Sequence, residues 1–228
     1  MTASALVASL QRISQVQAHL SGPLSAALAI LAIGAAFLRW LWPVTQHITT
    51  MAHEGAHATV GSAIGRQVKS MKFQPNGFGA TAVAGKGVLG SLSTGIVGYL
   101  GPSIFGIGAA EMIKAGYIVA VLWIGIAGLL AIMTVLRGIF SIISVAIAFV
   151  LLFGVAGFAS VAVQVLTAYG LAWFLLISGV QMIRIDVKAG AKDAEILRGL
   201  TKIPGRFWSG FWLVGSVIAL VFGGIQLL

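Results

Sequence analysis

Of the 228 residues, 59% are hydrophobic and 8% charged, far from the roughly 25% charged residues of an ordinary soluble domain, so water is not the solvent for most of the chain. The formal net charge of +9, which in a soluble protein would point to nucleic acid, reads here as membrane orientation, and no nucleic-acid partner is expected. Cysteine is absent, which excludes disulfides and thiolate metal sites and leaves His, Asp and Glu as the ligands open to any metal.

Residues 1–22 carry Leu6, Leu10, Ile13, Val16 and Leu20 at helical spacing with polar residues between them, the pattern of an amphipathic helix lying in the membrane interface. No Lys or Arg precedes Arg12, so this segment does not read as a cleaved signal peptide. Residues 23–228 then read as a single transmembrane domain. Its apolar runs predict an all-α integral membrane protein, a polytopic bundle of about seven helices, at about 24–42, 43–64, 88–110, 117–136, 138–157, 160–183 and 207–228. Spans four and five are separated by little more than Arg137-Gly138, so six spans with one bent or re-entrant segment is the alternative count.

The connection 65–87 differs in kind. Two short runs flank Pro75-Asn76-Gly77, and an Asn-Gly pair in such a setting predicts a β-hairpin. With seven spans, twelve of the fourteen Lys and Arg fall on one side, including all those in 65–87 and 184–206. The excess of basic residues in short cytoplasmic connections then predicts a cytoplasmic N-terminus and an outside C-terminus in the cell (inner) membrane.

The segment 43–64 contains His53-Glu54-Gly55-Ala56-His57. On a helix, histidines four residues apart project from one face a turn apart and can chelate one Zn²⁺. In such sites the neighbouring carboxylate, here Glu54, is no ligand. It removes a proton from the water that attacks a peptide carbonyl. Ionisable groups inside a span are costly, which favours function over accident. A catalytic zinc needs a third protein ligand. His47 points elsewhere on the same helix, His19 belongs to the interfacial segment, and Glu111 ends its span on the far side. Asp186, Asp193 and Glu195 remain. Depth in the membrane favours Asp186; Asp193 also reads as a helix N-cap before Ala194-Glu195-Ile196.

Four stretches in order resemble the site-2 protease family of intramembrane zinc metalloproteases, and within it the small bacterial branch: His53 to His57, the hairpin-like run 67–84, Gly98-Tyr99-Leu100-Gly101-Pro102, and Lys192-Asp193-Ala194. The resemblance implies a zinc metalloendopeptidase acting in regulated intramembrane proteolysis on transmembrane protein or peptide substrates. It implies zinc on His53, His57 and Asp193, with Asp186 the runner-up, and Glu54 as the catalytic base. It assigns substrate contact to Gly98, Gly101, Pro102, Asn76 and Gly77, the Gly-Pro span packing beside the zinc helix and the hairpin holding substrate extended. Lys192 stands where the branch typically has Ser, and the Leu-Asp-Gly of larger members has only a partial echo in Ile185-Asp186-Val187. Two other classes of function fit the same residues: a metal- or proton-coupled transporter, and a catalytically silent homologue that binds membrane partners.

Overall fold

The computed structural model describes residues 3–85, 87–189 and 192–228. The elements in chain order are α1 (Ala3–Arg12), α2 (Gly22–Phe37), α3 (Trp42–Ala63), β1 (Val68–Phe73), β2 (Gly79–Val83), α4 (Val88–Lys114), α5 (Ile118–Met133), α6 (Ile139–Phe158), α7 (Val161–Ala189), α8 (Lys192–Thr201) and α9 (Gly205–Leu227). Helix dominates because an apolar chain in lipid must satisfy its backbone within each segment.

Four helices, α4, α6, α7 and α9, are long and apolar enough to cross a membrane. They coincide with the expected spans 88–110, 138–157, 160–183 and 207–228. The expected spans 24–42 and 43–64 are α2 and α3, which meet at 100°; as one broken span the pair brings the number to five, and as a re-entrant loop it leaves four. The expected span 117–136 is α5, an apolar helix of 16 residues, short of the about 20 that a straight span requires, yet it leads from Gly116, bonded to Gln17, to Val135, bonded to Met71, and so runs between the two ends of the bundle. The α2–α3 break falls at Leu38, whose extended backbone (φ −74°, ψ 121°) ends α2, and Pro43 sits in the first turn of α3, where its missing N–H costs nothing.

The bundle has two distinct ends. Helices α4 and α7 run antiparallel, Gly106 against Leu176 and Gly179 against Ser103, while α4 and α9 run parallel, Gly215 against Leu100. Small residues at these crossings let the backbones approach closely. One end gathers the close of α4 and α9 with the start of α5 and α7. The main core fills the bundle toward this end, with Ile113, Ile118, Leu122, Tyr169 and Leu176 among its buried residues. The N-terminal segment packs on this end: the Ser9 hydroxyl donates to the Ala156 carbonyl, the Gln17 backbone to the Gly116 carbonyl at 2.9 Å, and the Ser25 hydroxyl to the Leu227 carbonyl at 2.6 Å. The segment 1–22 was expected beside the basic connections; these contacts set its described residues at the opposite end, where α2 begins beside Leu227. Lys86 and the side chain of Lys188, both counted among the basic residues, lie outside the described residues.

The hairpin is antiparallel, with Val68 opposite Val83, Met71 opposite Thr81 and Phe73 opposite Gly79. Its turn closes through Gly77, at φ +87°, a conformation that glycine adopts without steric cost. The hairpin is held on both sides. Met71 exchanges backbone hydrogen bonds of 2.8 Å with Val135 and Arg137, and the Thr50 hydroxyl of α3 donates to the Gly77 carbonyl at 2.6 Å. A small core of Met51, Met71, Phe73, Leu136 and Val145 lies beneath it.

Candidate metal centre

Helix α3 turns one face inward: His53, Glu54 and His57 are 6%, 3% and 9% exposed. The helical period puts the two imidazoles a turn apart on that face, and their Nε2 atoms are 3.1 Å from each other. Asp193, in the first turn of α8, closes the triangle, with Oδ2 at 3.3 Å from His53 Nε2 and 3.2 Å from His57 Nε2. Among the described residues this is the group of His, Asp and Glu that could hold a metal ion. A tetrahedral ion with bonds of about 2.0–2.1 Å has its donor atoms about 3.3 Å apart, and the three separations match that edge length.

The chemistry of the donors fits as well. His57 Nδ1 is 2.8 Å from the Thr94 carbonyl oxygen; a carbonyl only accepts, so Nδ1 carries a proton and Nε2 is the nitrogen left to face the centre. Burial works to raise the Asp193 carboxyl, but hydrogen bonding and charge from His53 and His57 outweigh it and hold the group below the usual carboxylate range. It is therefore ionised, the form that a cation needs. The His53 ring is set edge-on against Tyr99, centroids 4.7 Å apart, and Tyr99 in turn lies against Trp212 at 4.5 Å.

The space for the rings comes from α4. A Cβ on Gly98 would fall on the His57 imidazole and 2.9 Å from His53 Cε1. One turn on, a Cβ on Gly101 would meet Ala56 at 2.5 Å and the Ala52 carbonyl at 2.9 Å. Gly98, Gly101 and Pro102 are all buried, so they sit in helix contacts around the centre. Asn76 and Gly77 form the hairpin turn, where the Asn76 side chain accepts from the Phe78 amide at 3.2 Å.

Glu54 points to the other flank. Strand β2 lies directly on it, and a Cβ at Gly79 would be 2.5 Å from its Oε1. The Thr81 hydroxyl donates to the Glu54 carbonyl at 3.3 Å. Glu54 Oε2 is buried without a hydrogen-bond partner among the described residues, an uncommon state for a carboxylate oxygen. Asp186 is buried too, but it faces the Tyr99 hydroxyl and is outside the three-donor group. Glu195 pairs with Arg198 at the surface, 2.7 Å apart. His47 rests on Phe140 and His19 approaches the Tyr169 hydroxyl at 3.3 Å, both away from the centre.

Thr94 and Gly79 were not legible as site residues. Thr94 acts through its backbone carbonyl and Gly79 through a missing side chain, and neither leaves a chemical signature in a sequence. Tyr99 did fall inside a motif, without any assigned part.

A helical membrane protein with a buried His-His-Asp group at one end of the bundle is the class that fold and site define. The family model described as Peptidase M50B-like matches residues 24–223. The chain belongs to that family, which is the site-2 protease family. No curated protein and no solved structure gives a significant match.

Proposed function

We propose that this protein is an intramembrane zinc metalloprotease that hydrolyses peptide bonds of membrane-embedded protein or peptide substrates in regulated intramembrane proteolysis. The observation that carries the proposal is the triangle of His53, His57 and Asp193 donor atoms, 3.1–3.3 Å on each side, with Glu54 buried next to His53 on the same helix. His53, His57 and Asp193 hold the zinc, which when bound supplies Lewis acidity to a carbonyl oxygen and to water.

Glu54 is the proton carrier. Its unpartnered Oε2 accepts the proton of the attacking water, and the same carboxyl delivers it to the leaving amine, so that one group serves both halves of the hydrolysis. Substrate is held extended along the outer edge of β2, which no other strand pairs among the described residues. An exposed strand edge binds an extended peptide through main-chain hydrogen bonds, and this edge runs past Glu54 at Gly79. Residues 23–228 act as one metalloprotease domain, and residues 1–22 lie in the interface.

The connections 65–87 and 184–206 face the cytoplasm, because Arg66, Lys69, Lys72, Arg184, Lys192, Arg198, Lys202 and Arg206 fall there. Arg12, bonded to Gln164 at 3.5 Å, and Lys114 belong to the opposite end. Because α5 also carries the chain between the two ends, from Gly116 beside Gln17 to Val135 beside Met71, the α2–α3 pair, α4, α5, α6, α7 and α9 make an even number of passes and both termini lie outside, which replaces the N-in arrangement that seven spans would impose.

Metal analysis and a cleavage assay on the purified protein beside two variants test the proposal. Glu54→Gln should keep zinc and lose proteolysis, and His57→Ala should lose both. Full activity in Glu54→Gln would overturn the mechanism even with metal bound.

A further inference from the structure

The candidate third ligand does not come from a long span. Asp193 belongs to α8, an amphipathic helix of 10 residues, so something outside the metal triangle has to fix where α8 sits. Four residues after Asp193, and so on the same face one turn along, Leu197 is fully buried. It occupies a notch on α4 at Gly95, where an added Cβ would meet Leu197 Cδ2 at 2.9 Å and Cγ at 3.3 Å. Around it Tyr99, Ile183, Ala194, Trp208 and Trp212 form a core of their own, apart from the main core. Tyr99 joins the two sites: one ring contact lies on Trp212 in this small core and the other on His53 in the metal triangle.

We infer that Leu197 is a positioning residue for the metal centre: seated in the Gly95 notch, it holds α8 in the one register that brings Asp193 Oδ2 to His53 and His57. The inference rests on the metal reading above and adds that zinc affinity is set by apolar packing one turn away from the ligand. Its physical content is a difference in ordering. With the notch filled, Asp193 is presented before metal arrives. With the notch empty, α8 must be ordered at the moment of binding, and the affinity falls by that cost.

The full chain, purified in detergent, supplies the test, with zinc affinity measured by chelator competition. Leu197→Ala should bind zinc at least about tenfold more weakly, the size of effect seen when the support of a metal ligand is removed. Leu197→Met, of similar volume, should stay close to wild type. Gly95→Ala should weaken binding because its methyl group displaces Leu197, and the pair Gly95→Ala with Leu197→Val should regain affinity over Gly95→Ala alone, a size exchange that general unfolding cannot imitate. A second readout needs no metal: the chain has no cysteine, Ala194 is 4% exposed, and Ala194→Cys should react with a thiol reagent faster when combined with Leu197→Ala. Wild-type affinity in Leu197→Ala, or no recovery in the paired variant, overturns the inference. If His57→Ala bound zinc as wild type does, the metal reading itself would fail, while the labelling arm would still report whether Leu197 seats α8.

Discussion

Asp186 is buried and Asp193 partly buried near the two histidines, yet their surroundings differ in kind. Asp193 turns one oxygen to both imidazoles at 3.2 and 3.3 Å, whereas Asp186 faces a phenol hydroxyl. Asp193→Ala should therefore remove zinc and activity together, and Asp186→Ala should retain zinc; metal content of the two purified variants checks this, and the reverse result would move the third ligand to Asp186. Gly98 makes a second test at the same scale. Its added methyl would land on the His57 ring, and a helix backbone cannot yield as a flexible side-chain tip can. Gly98→Ala should lower zinc affinity at least about tenfold, although no donor atom has been changed. Equal zinc content at limiting metal would show that the rings have more freedom than their packing implies.

Among the elements, the hairpin has the closest relation to the candidate base. Its first strand is anchored to the 135–137 segment, its turn to Thr50, and its second strand lies on the Glu54 carboxylate with only Gly79 between them. Such an arrangement has no slack. In Gly79→Ala, the new carbon would stand 2.5 Å from Glu54 Oε1 and 2.6 Å from its Cγ, so either β2 lifts or Glu54 turns. Displacement of a reacting group by about 1 Å costs on the order of 100-fold in rate. Gly79→Ala should lose activity on that scale while keeping its zinc, a split that separates this flank of the site from the metal flank. Equal loss of zinc would mean that the hairpin supports the ligands as well as the base.

For the molecule as a whole, the proposed orientation rests on the broken α2–α3 pair. Taken as one broken span, it leaves α1 and Leu228 at one end, where the Ser25 hydroxyl donates to the Leu227 carbonyl, and the basic connections at the other. The absence of cysteine makes this accessible to labelling. In intact cells a membrane-impermeant thiol reagent should modify Gln11→Cys and leave Gly199→Cys untouched until the cells are permeabilised. Labelling of Gly199→Cys alone in intact cells would invert the assignment, and labelling at both positions would end the single-crossing reading.

The sequence by itself determined the membrane class, the hairpin and the face of α3 that carries His53, Glu54 and His57. Each of these is written in a local period: apolar runs long enough to satisfy their own backbone in lipid, an Asn76-Gly77 turn, and histidines one helical turn apart. The number of crossings was not determined in this way, because the bend between Phe37 and Trp42 sets a direction in space that hydropathy does not record. The partner of the two histidines was named as Asp193 by the resemblance alone, while depth in the membrane favoured Asp186. Asp186 and Asp193 stand seven residues apart on either side of the 190–191 junction, and their order along the chain gives no distance to α3. Tertiary structure brings Asp193 there, because α8 is seated by Leu197 against Gly95 of α4, and a contact between residues 102 positions apart in sequence follows from packing rather than from a local period.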